Sequence, residues 1–350
     1  MTLETAFERR SLPLEYPFGI ARGTTTESEA VFVRIEDDEG RVGIGAGTPS
    51  SHYGETPATV TAVLPDLLSV VEDVGDPHQL ERIERRMRET VRKNPAARTA
   101  VSIALHDLVA KQLEIPLYRY WGLDTDDTLE TSYTIGLDDT ATMREKTETA
   151  VERGYTTLKV KLGTDRDLEI IETIRSVAPD VRLFVDANEA WTPREAVTKI
   201  ERVADYDLAF VEQPIPAENP EGLRFVSERS PLPIAADESC VTLADIPRIA
   251  DRCDIANLKL MKCGGLLEAK RMIHAARAHG LEVMCGCMTE SNASIAAACH
   301  LAPLLDYADL DGSLLLADDP ADGVPMPDGR IDLAGLERPG TGAVLESDVD

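Results

Sequence analysis

Between Thr157 and Lys259 the chain repeats one pattern five times: a short apolar run that ends on a charged residue. The five endings are Lys161, Asp186, Glu212, Asp237 and Lys259, spaced 25, 26, 25 and 22 residues apart. Each interval holds one strand, one helix and two short loops, which is one β/α unit. A charge at the end of five successive parallel strands puts all five on one rim of a barrel, the rim at which such barrels do their chemistry. A doubly wound open sheet has similar spacing, but it gathers ligand groups at a switch point and leaves a row of charged strand ends unexplained.

The rest of the chain extends that count. Ser132–Ile135 reads as a strand before the five, followed by a helix over Thr140–Arg153, and Leu281–Met288 and Tyr307–Asp311 read as two strands after them. Eight strands alternating with helices predict an α/β barrel over residues 126–317. Residues 1–125 have another texture. Val31–Ile35 and Val42–Gly45 alternate as strands about a turn at Asp37–Gly40, and Phe18–Thr26 reads as a polar loop. Three helices are expected next, over Glu55–Val71, Pro77–Val91 and Asn94–Leu113. This α+β unit is expected to cap the barrel, and the Pro- and Gly-containing tail, about 318–350, to pack back on it.

Asp186, Glu212 and Asp237 are three carboxylates from adjacent strands, a donor set for a hard divalent cation. Mg2+ takes few protein oxygens and leaves positions open, whereas no Cys or His stands at these ends for zinc. Lys161 and Lys259 end the strands on either side, so they face a bound ligand from opposite directions. Lys159 lies two residues before Lys161 and shares its face. A cation there would lower the Lys161 pKa towards that of a working base. Only nine of the 36 basic residues are lysine, and Lys159, Lys161, Lys259 and Lys262 are four of the nine. Two opposed bases about a metal fit removal of a proton alpha to a carboxylate, with charge developing as an enediolate. Return of the proton on the opposite face inverts the carbon; a leaving group next door turns the same site to elimination or lactone chemistry.

The net charge of −27, from 63 acidic against 36 basic residues, is spread along the chain. It argues against nucleic-acid binding and suits a salt-rich cytoplasm, where screening relieves the repulsion. No secretory leader is expected at Met1–Glu4, no apolar run is long enough to span a bilayer, and six cysteines without framework spacing fit a reducing, cytoplasmic setting.

Lys159-x-Lys161, Asp186-Ala-Asn188, Val211-Glu212-Gln213-Pro214, Ala236-Asp237-Glu238-Ser239 and Asn257-Leu-Lys259-Leu-x-Lys262-Cys-Gly264-Gly265 resemble the enolase superfamily, muconate-lactonizing subgroup. Ala100–Gly122 is similar to the helix that ends that family's capping domain, and Arg338–Gly342 to its C-terminal return. The resemblance implies a modified (β/α)7β TIM barrel with an α+β cap and one Mg2+. It speaks against the mandelate-racemase subgroup, since no histidine stands near Met288. Asp309-Leu310-Asp311 resembles the Asp-x-Asp signature of dipeptide epimerases, whose carboxylates hold a free amino group. Ile20–Gly23 and His52–Glu55 resemble those enzymes' capping loops. By that likeness Arg22 pairs with a side-chain carboxylate, and Tyr53, Thr134 and Met288 join the substrate contacts.

The function so implied is Mg2+-dependent epimerisation of a dipeptide such as L-Ala-L-Glu, with Lys161 and Lys259 as opposed acid and base. A muconate-type cycloisomerase or o-succinylbenzoate synthase on the same scaffold is the alternative. The expected partners are the dipeptide and further copies of the chain in a homo-oligomer, with no nucleic acid and no membrane.

Overall fold

A computed structural model of the protein describes residues 2–125 and 129–346. The expected break between cap and barrel, at 125/126, and the last four residues of the tail lie at or outside these limits. Strands β1 (Glu4–Ile20), β2 (Gly23–Glu36) and β3 (Val42–Gly47) form an antiparallel sheet in that order. The expected polar loop over 18–26 is the end of the β1–β2 hairpin. Phe18, Gly19 and Ile20 pair with Thr25, Thr24 and Gly23, so only Ala21 and Arg22 turn. Its polarity reflects exposure at the sheet's tip and not an absence of pairing.

Helices α1 (Pro57–Val74), α2 (Leu80–Thr90) and α3 (Pro95–Gln112) follow, with a short α4 at Leu117–Tyr120. Thr56 caps α1 in a reciprocal box with Thr59, and Pro57 fits the first turn, where no amide partner is needed. Helix α3 lies against β3 through small residues on both sides. A Cβ on Gly43, Gly45 or Gly47 would meet the carbonyl oxygen of Ala104, Ala100 or Ala96 at 2.1, 2.2 and 2.4 Å. Two residues along a strand and four along a helix advance by nearly the same length, so the two rows stay in step.

The barrel strands are β4 (Tyr133–Ile135), β5 (Thr157–Lys161), β6 (Arg182–Asp186), β7 (Leu208–Glu212), β8 (Ile234–Ala236), β9 (Ile255–Lys259), β10 (Glu282–Gly286) and β11 (Tyr307–Asp309). They pair in parallel in chain order, and a bridge between Thr131 and Ala308 brings the last strand back to the first. Helices α5 (Thr140–Glu152), α6 (Asp167–Val177), α7 (Pro193–Val203), α8 (Pro220–Ser227), α9 (Ile246–Ile249), α10 (Leu260–Cys263), α11 (Leu266–Ala278) and α12 (Asn292–Cys299) fill the seven connections. The fold is therefore a (β/α)7β barrel with an antiparallel cap.

Strand alternation sorts the barrel interior. Two residues before each acidic strand end stand Phe184, Phe210 and Ala235, which with Ile255 and Met284 form a separate buried cluster. Phe184 and Phe210 stack with centroids 4.3 Å apart. The charged rim thus sits on a dry apolar floor. The tail returns as β12 (Ala321–Asp322) and β13 (Val344–Leu345), and Ala321 and Leu345 pack with Leu12, Phe32 and Ile44 of the cap sheet.

Because β3 and α3 approach backbone to backbone, Gly45→Ala is expected to destabilise the fold by about 1–3 kcal/mol, the usual cost of overpacking. Urea denaturation of the two proteins measures it.

Candidate active site

The rim charges converge on one cavity of about 810 Å³ between the barrel mouth and the cap. It is lined by Lys159, Lys161, Asp237, Lys259, Asp309 and Asp311 from the barrel, together with Thr134 and Met288, and by Arg22 and Tyr53 from the cap. Asp186 and Glu212 lie just beneath, with no exposed surface.

Asp186, Glu212 and Asp237 each offer an oxygen within 4.8 Å of the other two. Glu212 Oε1 accepts from Asn257 Nδ2 at 2.9 Å, while its buried Oε2 lacks a hydrogen bond, although Lys159 Nζ lies 2.8 Å away. Burial and the neighbouring Asp186 push the Glu212 carboxyl up to about 8. Asp186 is held down at about 2, because Lys161 and Lys159 overcome its burial. An all-oxygen donor set of three carboxylates with an unsatisfied buried oxygen fits Mg2+.

Lys161 Nζ donates to Asp186 Oδ2 at 2.7 Å, and Lys259 Nζ to Asp237 Oδ2 at 2.9 Å. Their strands are four places apart in an eight-stranded barrel, so the two ammonium groups enter from opposite walls. Burial would lower the Lys259 pKa, but Asp237 outweighs it and raises the group above its ordinary value.

Lys159 does share the face of Lys161, and both reach Asp186 Oδ2, at 3.2 and 2.7 Å. The fold adds what spacing along one strand cannot contain. Lys159 Nζ is also 2.8 Å from Glu212 and 2.8 Å from Asp309. Against the pull of burial, these carboxylates hold Lys159 well above its usual value, so it is a fixed charge that neutralises buried acid.

Asp309 and Asp311, expected to hold an amino group together, have different surroundings. Asp309 ends β11, accepts from Ser132 Oγ at 2.6 Å and from Lys159 at 2.8 Å, and is held ionised. Asp311 lies in the turn beyond, where its Oδ2 accepts from the Thr134 amide at 2.7 Å. Burial and the charge of Asp309 push Asp311 up to about 7. Thr134 thus meets this acid through its backbone.

Arg22 bridges cap to barrel, donating to Glu238 Oε1 at 2.9 Å, to Glu189 Oε2 at 3.2 Å and to the Asn188 carbonyl at 3.1 Å. His52 approaches the same Glu189 oxygen at 3.3 Å. The side-chain carboxylate expected opposite Arg22 therefore has counterparts within the protein. Asn188 and Glu189 reach them through consecutive positive φ angles of 44° and 69°, a strained turn at the end of β6. Burial, then Asp237 and Glu238, push the Tyr53 phenol up, so it stays protonated.

Several supporting residues stand outside the row of charged strand ends. Lys262, scarce but unassigned from sequence, donates to Asp237 Oδ1 at 2.5 Å and to its carbonyl at 2.6 Å. Gln213 Oε1 accepts the Asp237 amide at 2.9 Å, fixing the third acidic strand end. Asn257, two residues before Lys259 and so on its face, was findable by alternation alone.

A capped parallel barrel with lysine-flanked acids at its mouth is the class that fold and site define. Residues 142–349 match the family model for the enolase C-terminal domain-like fold, and residues 3–122 that for the mandelate racemase / muconate lactonizing enzyme N-terminal domain. The chain belongs to the enolase superfamily. It is 40% identical to the L-Ala-D/L-Glu epimerase of Bacteroides thetaiotaomicron over 98% of this chain and 88% of that one. The substrate-liganded L-Ala-D/L-Glu epimerase of Bacillus subtilis superposes with a TM-score of 0.93 at 32% identity, covering 98% of this chain and 99% of that one. The dipeptide epimerase of Enterococcus faecalis, complexed with Mg and L-Leu-L-Tyr, gives 0.90 at 34% identity, with the same coverage.

Gly286 pairs with Lys259, and a Cβ there would stand 2.9 Å from Lys259 Cε and 2.9 Å from Asn257 Oδ1. Gly286→Ala should displace the lysine and lower turnover by up to about 100-fold, the scale of a misplaced reacting group, with the thermal transition little changed. Turnover and melting of the same preparation check it.

Proposed function

We propose that the protein is a Mg2+-dependent dipeptide epimerase that inverts the carbon alpha to the C-terminal carboxylate. The observation that carries this reading is the meeting, in one cavity, of two opposed lysines with the acids Asp309 and Asp311. Asp186, Glu212 and Asp237 would hold the metal. When bound, Mg2+ supplies fixed positive charge against the negative charge that develops on the substrate carboxylate as its alpha proton leaves.

The chain's own residues do the rest. Lys161 and Lys259 take the proton from one face and return one on the other; a single base would exchange the proton without inverting the carbon. Asp186 beside Lys161 and Asp237 beside Lys259 hold the two ammonium groups in place. Asp311, backed by Asp309, receives the free ammonium group and so sets which end of the dipeptide faces the lysines. Muconate and succinylbenzoate carry no amine and would be repelled there, which weighs against the cycloisomerase and synthase readings. Tyr53 and Arg22 close the cavity from the cap, and Met288 lines its wall. The apolar floor of Phe184 and Phe210 keeps water from below.

Residues 1–125 with the tail from about 318 act as the cap, and 126–317 as the catalytic barrel. Six free cysteines suit a reducing cytoplasm. A net charge of −27 suits high salt, where neighbouring surface carboxylates repel less. Among the described residues no helix is long and apolar enough to cross a membrane.

Incubation with a dipeptide panel in D2O, with Mg2+ and high salt, should place deuterium at the alpha carbon of the second residue and produce its epimer. No exchange with any dipeptide would sink the reading. Asp311→Asn should raise KM for dipeptides while leaving Mg2+ binding in place. In the parent enzyme KM should rise as the pH falls through about 7, because Asp311 takes up its proton there and no longer attracts the ammonium. The Asn variant should lose that pH dependence in steady-state kinetics.

A further inference from the structure

Outside β4, between the β1 strand and α5, lies a second cavity of about 160 Å³. Phe18, Thr134 and Leu315 line both this cavity and the catalytic one and so form a wall between them. Leu14, Tyr16 and Tyr133 continue the second cavity away from that wall. The reaction as described leaves it without a role.

Its place relative to the acids suggests one. Asp311 Oδ2 accepts the amide of Thr134, a residue of the shared wall, and Leu315 ends the turn that begins directly after Asp311. An ammonium group held by Asp311 therefore lies beside that wall. The side chain of a dipeptide's first residue leaves the same carbon as its ammonium group, so it points at the wall, towards the cap at Ile20 and Tyr53, or back among the buried lysines and carboxylates. An apolar chain is disfavoured among those charges and favoured against Phe18 and Leu315. Leu315 is only partly buried, so it can turn aside without unfolding an element. A cavity of about 150 Å³ is enough for a benzene-sized group. The two cations on the far rim are already engaged, Lys146 by Asp138 at 3.1 Å and Arg153 by Glu15 at 3.6 Å.

Resting on the epimerase reading, we propose that this cavity is the subsite for the first residue's side chain, and that the protein accepts an apolar first residue well beyond alanine. Thr149, on the exposed side of α5, lines this cavity and not the catalytic one. Thr149→Trp fills the cavity from the helix side. Exchange kinetics would be compared for L-Ala-L-X and L-Leu-L-X, where X is the second residue that the wild type exchanges fastest.

The expected result is efficient exchange of both by the wild type. In Thr149→Trp, kcat/KM for L-Leu-L-X should fall by roughly tenfold or more through KM, the scale of discrimination by an apolar pocket, with L-Ala-L-X within about twofold. Thr149→Val, which keeps the side-chain volume, should resemble the wild type with both. Retained turnover of L-Ala-L-X also serves as the control for folding. Equal loss on both substrates, no loss on either, or a wild type that exchanges L-Ala-L-X and refuses L-Leu-L-X overturns the subsite while the reaction stands. A wild type inactive on every dipeptide fails the reaction itself, and the subsite with it.

Discussion

The structure depends on keeping a cluster of acids buried beneath the barrel mouth. Asp186, Glu212, Asp237 and Asp309 are all at least 96% buried, and beneath the first three lies a floor of Phe184, Phe210 and Ala235. Two charges about 4 Å apart interact by about 4 kcal/mol at an effective dielectric near 20, so repulsion among these acids would rival the stability of a whole domain. Lys159, Lys161, Lys259 and Lys262 answer it, each within 3 Å of a carboxylate oxygen. The compensation is incomplete at Glu212, whose carboxyl is raised and whose Oε2 lacks a hydrogen bond. That residual acidity is what a divalent cation would relieve.

The same constraint shapes the parts around the rim. Gly286 is bare because Lys259 must pass beside it to reach Asp237, and Gln213 and Lys262 clamp Asp237 from its amide and its carbonyl. The cap contributes one cation, Arg22, to two further acids, Glu189 and Glu238. Side-chain exposures of 1% for Glu238 and 35% for Arg22 mark this bridge as half inside and half outside. Its outer part is open to screening by salt, while the inner lysine–carboxylate contacts are shielded.

Most of the barrel was legible because a parallel strand buried on both faces reads as a short apolar run, and its catalytic end as the charge that stops it. Lys161, Asp186, Glu212 and Lys259 are the last residues of their strands, and Asp237 follows its strand by one. The β1–β2 hairpin was not legible at its tip, where exposed Thr, Gly and Glu residues look like loop even when paired. Nor were the three glycines of β3 readable as a packing surface. That role exists only because Ala96, Ala100 and Ala104 arrive from about fifty residues away.

The sequence by itself determined the register of charges along each strand, since alternation at period two decides which side chains share a face. From that follow the acidic triad, the lysines on either side and the pairing of Lys159 with Lys161. Only the tertiary structure decided what each charge meets across the barrel. It gives Lys159 to Asp309 from a strand 150 residues later, separates Asp309 from Asp311 by environment, and returns Arg22 to the protein's own acids. The physical reason is range. Local pattern fixes direction over a few residues, while partner and protonation state depend on burial and on charges that chain closure brings within a few ångströms.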